Sequence, residues 1–356
     1  MSLRVSISLD RHIPVYLTGE VIGIEVTVEN RGRSRESLAW GSIQLTSDRT
    51  FGRRKLEANA QTSMAPSASN VYSSLPVVIF CELDLQPGQS RSFPCNIPLP
   101  LNGLPPSFKG HYIRYANRVT VGVARVRSTL RLLHMPVRIV TSVAVESRPR
   151  PPIDPFIAQT RNEPSISEIV GAAVDVMTAP KNPLLYALTC EKGKIASLTL
   201  FKKAFRMGED VIGHMSFESC AVSTLYMVAS LETVESLSEH VAGASINEPF
   251  VTTLCTDDRH CSSFLQCSFR LPVPMSSPPS FHTDILHHKW RLRVELSISE
   301  STEMEESEDD PSVYEVPQSL CSSRVTWSTD IYVLPSTPHN IALTDESLSS
   351  TVDTCI

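Results

Sequence analysis

Apolar and polar residues alternate with a period of two through most of this chain. That period marks strands with one buried face. It predicts strands at Val5–Leu9, Val15–Tyr16, Val21–Val28, Trp40–Leu45, Val77–Leu83, Gln89–Ile97, Tyr112–Val126 and Leu132–Val140. A second series follows at Leu184–Thr189, Ile195–Phe201, Val211–Phe217, Thr224–Thr233, Cys261–Leu271, His288–Ile298 and Arg324–Leu334. Turn signals such as Pro87-Gly88 and Asn102-Gly103 separate the strands, and Lys192-Gly193 suits a hairpin. Many short antiparallel strands at this spacing predict sandwiches.

The two series share anchors. Gly19-Glu20 in YLTGEVIGIEVTVEN matches Gly208-Glu209 in FRMGEDVIGHMSFES, 189 residues on. The phase of the apolar positions survives: Ile22 aligns with Val211, Val26 with Met215 and Val28 with Phe217. Matched parity means that the same face points inward in both copies. A second anchor pairs LPPSFKG with SPPSFHT, placing Pro105 opposite Pro278 and Val121 opposite Val294. Two anchors in the same order predict tandem homologous β domains rather than one large mixed-β domain.

One helix interrupts the pattern over 165–179. Ser165 and Glu168 have capping-box spacing, and Ile166, Ile169, Val170, Ala173, Val174 and Met177 follow the 3.6-residue repeat until Pro180. Its apolar stripe suits either packing on a sandwich or docking a partner. Three segments read as irregular: a polar loop over 47–74, a Pro- and Arg-bearing linker over 146–164 and an acidic loop over 299–312. The expected organisation is an N-terminal sandwich over 1–145 and a linker with the helix over 146–183. A C-terminal sandwich over 184–335 and a disordered tail over 336–356 complete it.

Composition narrows the function. The 356 residues carry a net charge of −6, and 26 prolines against 14 glycines favour rigid turns. The first 178 residues carry +6 and the rest −12, but seven of the latter's carboxylates lie in the acidic loop. Without a strongly basic domain, a nucleic-acid partner is not expected. No apolar run reaches the ~18 residues of a membrane span, and the start lacks a signal-peptide core. Nine cysteines without paired spacing suit a reducing, cytosolic compartment.

Motifs for chemistry are scarce. The sequence has no phosphate-binding glycine loop, nucleophile elbow or HExxH. Cys255, His260, Cys261 and Cys267 cluster, but their gaps do not match the usual short zinc pairs. Cys261 and Cys267 share strand parity with Phe269 and Leu271, so buried thiols account for them. His287-His288 reads as surface histidines at a strand start. No metal, cofactor or independent catalytic activity is expected.

The G-E-x-apolar-x-G strand, the Pro-rich strands CNIPLPL and FRLPVPM, and P-P-S-F before a long alternating strand together resemble the arrestin fold. Longer strings, chiefly PLNGLPPSFKGHYIRYANRVTVGVARVRSTLRLLHMPVRIV and FKKAFRMGEDVIG, are similar to the reduced growth phenotype family. That resemblance implies two tandem arrestin-like sandwiches in a subunit of a Golgi Rab exchange-factor complex. The implied partners are a large Ric-type β-propeller and α-solenoid subunit and a Rab-six type GTPase. The implied site is cytosolic and peripheral on the Golgi membrane, in retrograde endosome-to-Golgi transport. The resemblance supplies no catalytic residue. Arrestin-domain cargo or ligase adaptors share the fold, but the Pro-Pro pairs here read PPID, PPSF and PPSF, not P-P-x-Y. A retromer-like coat subunit is a third reading, disfavoured by the family-specific strings. Candidate protein-contact residues are Arg49, Arg53, Arg54 and Lys55 in the basic cluster, and Ile166, Ile169, Val170 and Val174 on the helix.

Overall fold

The computed structural model describes residues 3–52, 69–126, 129–142, 164–238, 248–262, 264–299, 322–344 and 350–355. They fall into two compact units: those of Met1–Val174 with Pro335–Ile356, and those of Asp175–Ser238 with Asn247–Leu334. Each is an antiparallel sandwich with one short parallel pairing.

In the first unit, β1 (Leu3–Leu9), β3 (Val21–Asn30), β7 (Ser90–Pro98) and β21 (Thr351–Cys355) form one sheet, ordered β21-β1-β3-β7. The second sheet runs β2 (Val15–Leu17), β10 (Arg131–Val140), β9 (Ile113–Arg125), β4 (Glu36–Phe51). There β5 (Ser69–Ser73) and β6 (Val77–Leu85) both pair with β4, and β8 (Phe108–Lys109) pairs with β9. Alternate residues of both sheets meet in one core, including Val5, Ile7 and Val26 from the first and Ile43, Val121 and Met135 from the second.

The second unit repeats the plan. Its sheets run β11 (Leu184–Cys190), β12 (Gly193–Leu200), β14 (Asp210–Ser216), β17 (Gln266–Pro272), and β13 (Ala204–Arg206), β20 (Ser322–Leu334), β19 (Leu286–Ser299), β15 (Thr224–Leu237), β16 (Phe250–His260). β18 (Phe281–His282) lies on β19 as β8 lies on β9. The hairpin from β11 to β12 turns after Cys190, with Gly193 at φ +119°.

The shared anchors have a common structural cause. Gly19 and Gly208 sit at φ +91° and +87°, a conformation that favours glycine. The glutamate after each glycine then reaches back: Leu17 N–H donates to Glu20 at 2.8 Å, and Arg206 N–H to Glu209 at 2.9 Å. The serine of each P-P-S-F ties on the last strand of its sheet. Ser107 donates its N–H to Ile139 O and Ser280 to Val333 O, while Ile139 N–H and Val333 N–H donate to the same serines' hydroxyls at 3.0 Å.

Several expectations need correction. The tail from residue 336 is not disordered throughout. Helix α2 (Pro338–Ala342) is capped by Thr337, whose hydroxyl accepts from Asn340 N–H, and β21 pairs with β1 from Ser8↔Thr351 to Arg4↔Cys355. β21 fills the position beside β1 that β11 fills beside β12, satisfying an edge that would otherwise be bare. The polar loop expected over 47–74 is shorter: β4 extends to Phe51, and β5 occupies Ser69–Ser73, because both find backbone partners. The remainder of that loop, the linker over 146–163 and the acidic loop from 300 lie outside the described residues. The strand expected at Cys261–Leu271 begins at Gln266, and polar Phe250–His260 forms β16 instead. β16 is an edge strand with mostly exposed side chains, so it lacks an apolar alternation.

Helix α1 spans Ile166–Thr178. Its capping box forms as spaced: Ser165 N–H donates to Glu168 Oε2 at 2.8 Å, and Glu168 N–H donates to Ser165 Oγ at 3.2 Å.

Candidate interaction surfaces

The anticipated helix contacts divide by depth. Val170 and Val174 are 2% and 1% exposed, whereas Ile166 and Ile169 are half-buried. At the two valines the stripe is therefore used in internal packing, as a burial of apolar surface against the chain itself. The exposed large apolar side chains of α1 are Val176 and Met177. In the basic cluster, Arg49 projects from β4 half-buried, its guanidinium 5.4 Å from the centre of the Phe51 ring. Arg53, Arg54 and Lys55 lie outside the described residues.

A different surface emerges on the outer face of the first unit's larger sheet. The ladders place Leu132, Gly122, Ser42 and Val78 in one row across β10, β9, β4 and β6. Leu132 is 54% exposed and Val78 60%. Gly122 provides the floor: a Cβ there would meet Leu130 and Leu132 methyls at 3.4 Å. The next rung places Trp40 between Ala124 and Cys81, with the indole partly exposed. Inward neighbours Leu133, Val121 and Ile43 belong to the core, so this row, apolar at both ends with Ser42 between, lies on the outer face. Ion pairs flank it: Arg118 with Asp48 at 2.5 Å and Arg125 with Glu36 at 3.7 Å. Contiguous apolar surface rimmed by polar groups is the usual mark of a protein contact. The sequence signal was visible as outward-phase apolar residues in otherwise alternating strands, namely Trp40, Val78 and Leu132.

The first unit also holds a cleft of about 540 Å³. Arg11, His12 and Ile13, the first turn of α1 at Ser167, and Pro338, His339 and Leu343 line it. Sequence reasoning missed it because a tail taken as frayed supplies one wall. Arg11 is already committed, donating to both carboxylate oxygens of Glu20.

Histidine placement differs from expectation. His288 is only 3% exposed, because it shares the inward parity of Trp290 and Leu292 on β19. Its ring stacks on Phe281, and burial pushes its pKa down to about 4. His287 keeps the outer side, beside His282. Among the described residues, no group of three or more His, Cys, Asp and Glu could hold a metal ion. No helix there is long and apolar enough to cross a membrane.

These observations define an all-β protein of two tandem sandwiches whose most conspicuous surface feature is an exposed apolar sheet face. Residues 10–150 and 159–299 match the Rgp1 family model, and the chain belongs to the Rgp1 family. It is similar to the human RAB6A-GEF complex partner protein 2, 29% identical over 366 aligned positions that cover 91% of this chain and 93% of the relative. The bovine protein of the same name is 28% identical, covering 92% of each chain.

Proposed function

We propose that this chain is a non-catalytic, required subunit of a guanine-nucleotide exchange factor for a Rab-six type GTPase. The observation that carries the reading is similarity to RAB6A-GEF complex partner proteins along more than nine-tenths of the chain, thus across both sandwiches. The arrestin-like domains provide a rigid frame, and the large Ric-type subunit is the intended neighbour. The complex works from the cytosol, peripheral on Golgi membranes, in retrograde endosome-to-Golgi transport.

Nucleotide release needs no titrating group from such a subunit. An exchange factor acts by binding the nucleotide-free GTPase more tightly than the GDP-bound form. A sandwich contributes by holding a partner in the geometry that favours the nucleotide-free state. The outer face around Leu132 and Val78 suits this role, since its apolar area is already on a rigid sheet and costs little ordering on docking.

GDP release from the GTPase is the test, measured with this chain, with the large subunit, and with both. Acceleration only with both is expected. Full acceleration by the large subunit alone would remove the requirement for this chain.

A further inference from the structure

Strand β20 of the second unit is paired along one side only for most of its length. β19 runs beside it from Ser299↔Ser322 to Trp290↔Ile331, whereas β13, on the other side, reaches only Tyr332, Val333 and Leu334. Among the described residues, no strand pairs with 323–331 on that second side. Tyr332 N–H points to it, donating to Lys203 O at 2.9 Å. Alternate residues of a strand turn their backbone groups the same way. Arg324, Thr326, Ser328 and Asp330 therefore present N–H and C=O groups to the open edge.

The first unit blunts the same edge. Ile139 and Val333 occupy equivalent places, each donating its N–H to the serine of P-P-S-F. Arg138 N–H donates to Pro14 O as Tyr332 N–H does to Lys203 O. Counting back, Pro136 of β10 stands where Asp330 stands in β20. A proline has no N–H to offer at an edge-facing position, a common way of protecting an edge. β20 has neither a proline nor a bulge. Its inner side is also less sealed. Leu133 and Met135 are buried, but their counterparts Trp327 and Thr329 are half-exposed, with the Trp327 and Tyr186 ring centres 4.8 Å apart.

The order of residues along β20 fits a copy of itself. Laid antiparallel with Trp327 at the centre, the strand sets Arg324 opposite Asp330 of the second copy, at both ends. Thr326 then faces Ser328, and Val325 faces Thr329. Arg324–Asp330 and Thr326–Ser328 are the pairs with edge-facing backbone groups, so each exchanges two hydrogen bonds. The two Trp327 residues meet at the closer, non-hydrogen-bonded spacing, with Cα atoms about 4.5 Å apart. Aromatic, hydroxyl and opposite-charge pairs are favourable cross-strand combinations. Both charges are within reach: Arg324 is 77% exposed and Asp330 53%. Asp330 lies 3.9 Å from Lys289 and from Arg291, and Arg324 holds Glu295 through one of its nitrogens.

We propose that residues 323–331 of β20 are a self-association site, where two copies of this chain pair antiparallel about a two-fold axis at Trp327. Such an interface is isologous and closes on itself, so it gives a dimer and not a fibre. β13 sets its limit at Tyr332. It uses none of the residues of the first unit's outer face.

Sedimentation of the full-length chain over about 1–100 µM tests this, and a dimer is expected. Asp330→Pro, which gives β20 the proline of β10, should raise the dissociation constant at least roughly tenfold with little change in melting temperature. Arg324→Asp and Asp330→Arg each set like charges opposite one another, and each alone should weaken the dimer similarly. An equimolar mixture of the two variants should dimerise, because every facing pair is then opposite in sign. Amide exchange should slow with concentration at 324, 326, 328 and 330, but not at 325, 327 and 329, which face β19. A monomer throughout that range, a dimer indifferent to Asp330→Pro, or a mixture no tighter than its components would overturn the proposal. Mixing and exchange decide even where the proline variant folds poorly.

Discussion

Arg11 holds both carboxylate oxygens of Glu20, at 2.9 Å each, while its guanidinium lies 4.4 Å from the centre of the Tyr16 ring. The second unit builds the same corner from Lys202, Glu209 and Phe205: the ammonium lies 2.6 Å from the carboxylate and 5.2 Å from the ring centre. Burial disfavours the charge on Arg11, but its bonds to Glu20 more than offset this and its pKa is raised. The corner explains why Gly-Glu is repeated: glycine permits the turn and glutamate satisfies a strand N–H and a cation together.

Glu20→Gln should therefore cost more than Glu209→Gln. Glu20 is 7% exposed and Glu209 about a third, so water can replace much of the second interaction. Losing the Glu20 charge leaves Arg11 and the Leu17 N–H without their full partner, a loss of about 2–3 kcal/mol. For Glu209→Gln about 1 kcal/mol is expected. Urea denaturation measures both losses, and amide exchange at residues 15–22 locates the first.

Removing residues 350–356 should destabilise the first unit alone. β21 covers β1, and an ion pair joins Arg4 to Asp353. Without it the N–H and C=O groups of one edge of β1 face water, at a cost of about 2 kcal/mol. The bare edge also becomes a template for pairing with other chains. Hydrogen exchange should accelerate in β1 and not in β12, and the truncated chain should self-associate at lower concentration. Unchanged exchange in β1 would refute the role given to β21.

Stability should fall in mild acid because of His288. The unfolded histidine titrates near 6.5, but burial lowers the folded value to about 4. As pH drops below 6.5 the unfolded chain takes up a proton that the fold refuses. Stability is thus full above 6.5, declines towards 4 and then levels off, with a total loss of at most ~3 kcal/mol. His288→Phe should flatten this dependence, since its counterpart in the first unit, Tyr115, is also a buried aromatic, placed opposite Phe108 in the β8–β9 ladder. His134 shifts the same way by burial and the nearby Arg118 charge, so the difference between wild type and variant in acid-titration melts is the quantity to read.

The legible part of this fold was the part with a period. Strands with one buried face announced themselves, and matched parity at Ile22/Val211 and Val121/Val294 carried the tandem reading. β16 was illegible because an edge strand with exposed side chains has no alternation to show. β21 was illegible because its reason for forming, the free edge of β1, lies more than 340 residues away in sequence. His288 was misplaced by its type: a titratable side chain was read as exposed although its parity with Trp290 placed it inside. Of the proposed contact residues, periodicity found the α1 stripe but could not say that Val170 and Val174 face inward onto the chain.

The outer sheet face offers the sharpest separation of folding from binding. Leu132→Glu and Val78→Glu place carboxylates on side chains that already meet water, so each should change stability by no more than about 0.5 kcal/mol. If this face docks the large exchange-factor subunit, the pair of substitutions buries two unpaired charges in the complex and should weaken binding at least roughly a hundredfold. Leu133→Glu, one residue along β10 but pointing into the core, should instead unfold the unit. Co-purification of the two subunits, with thermal melts of this chain alone, distinguishes the outcomes. Undiminished binding by the folded double variant would move the partner to another surface.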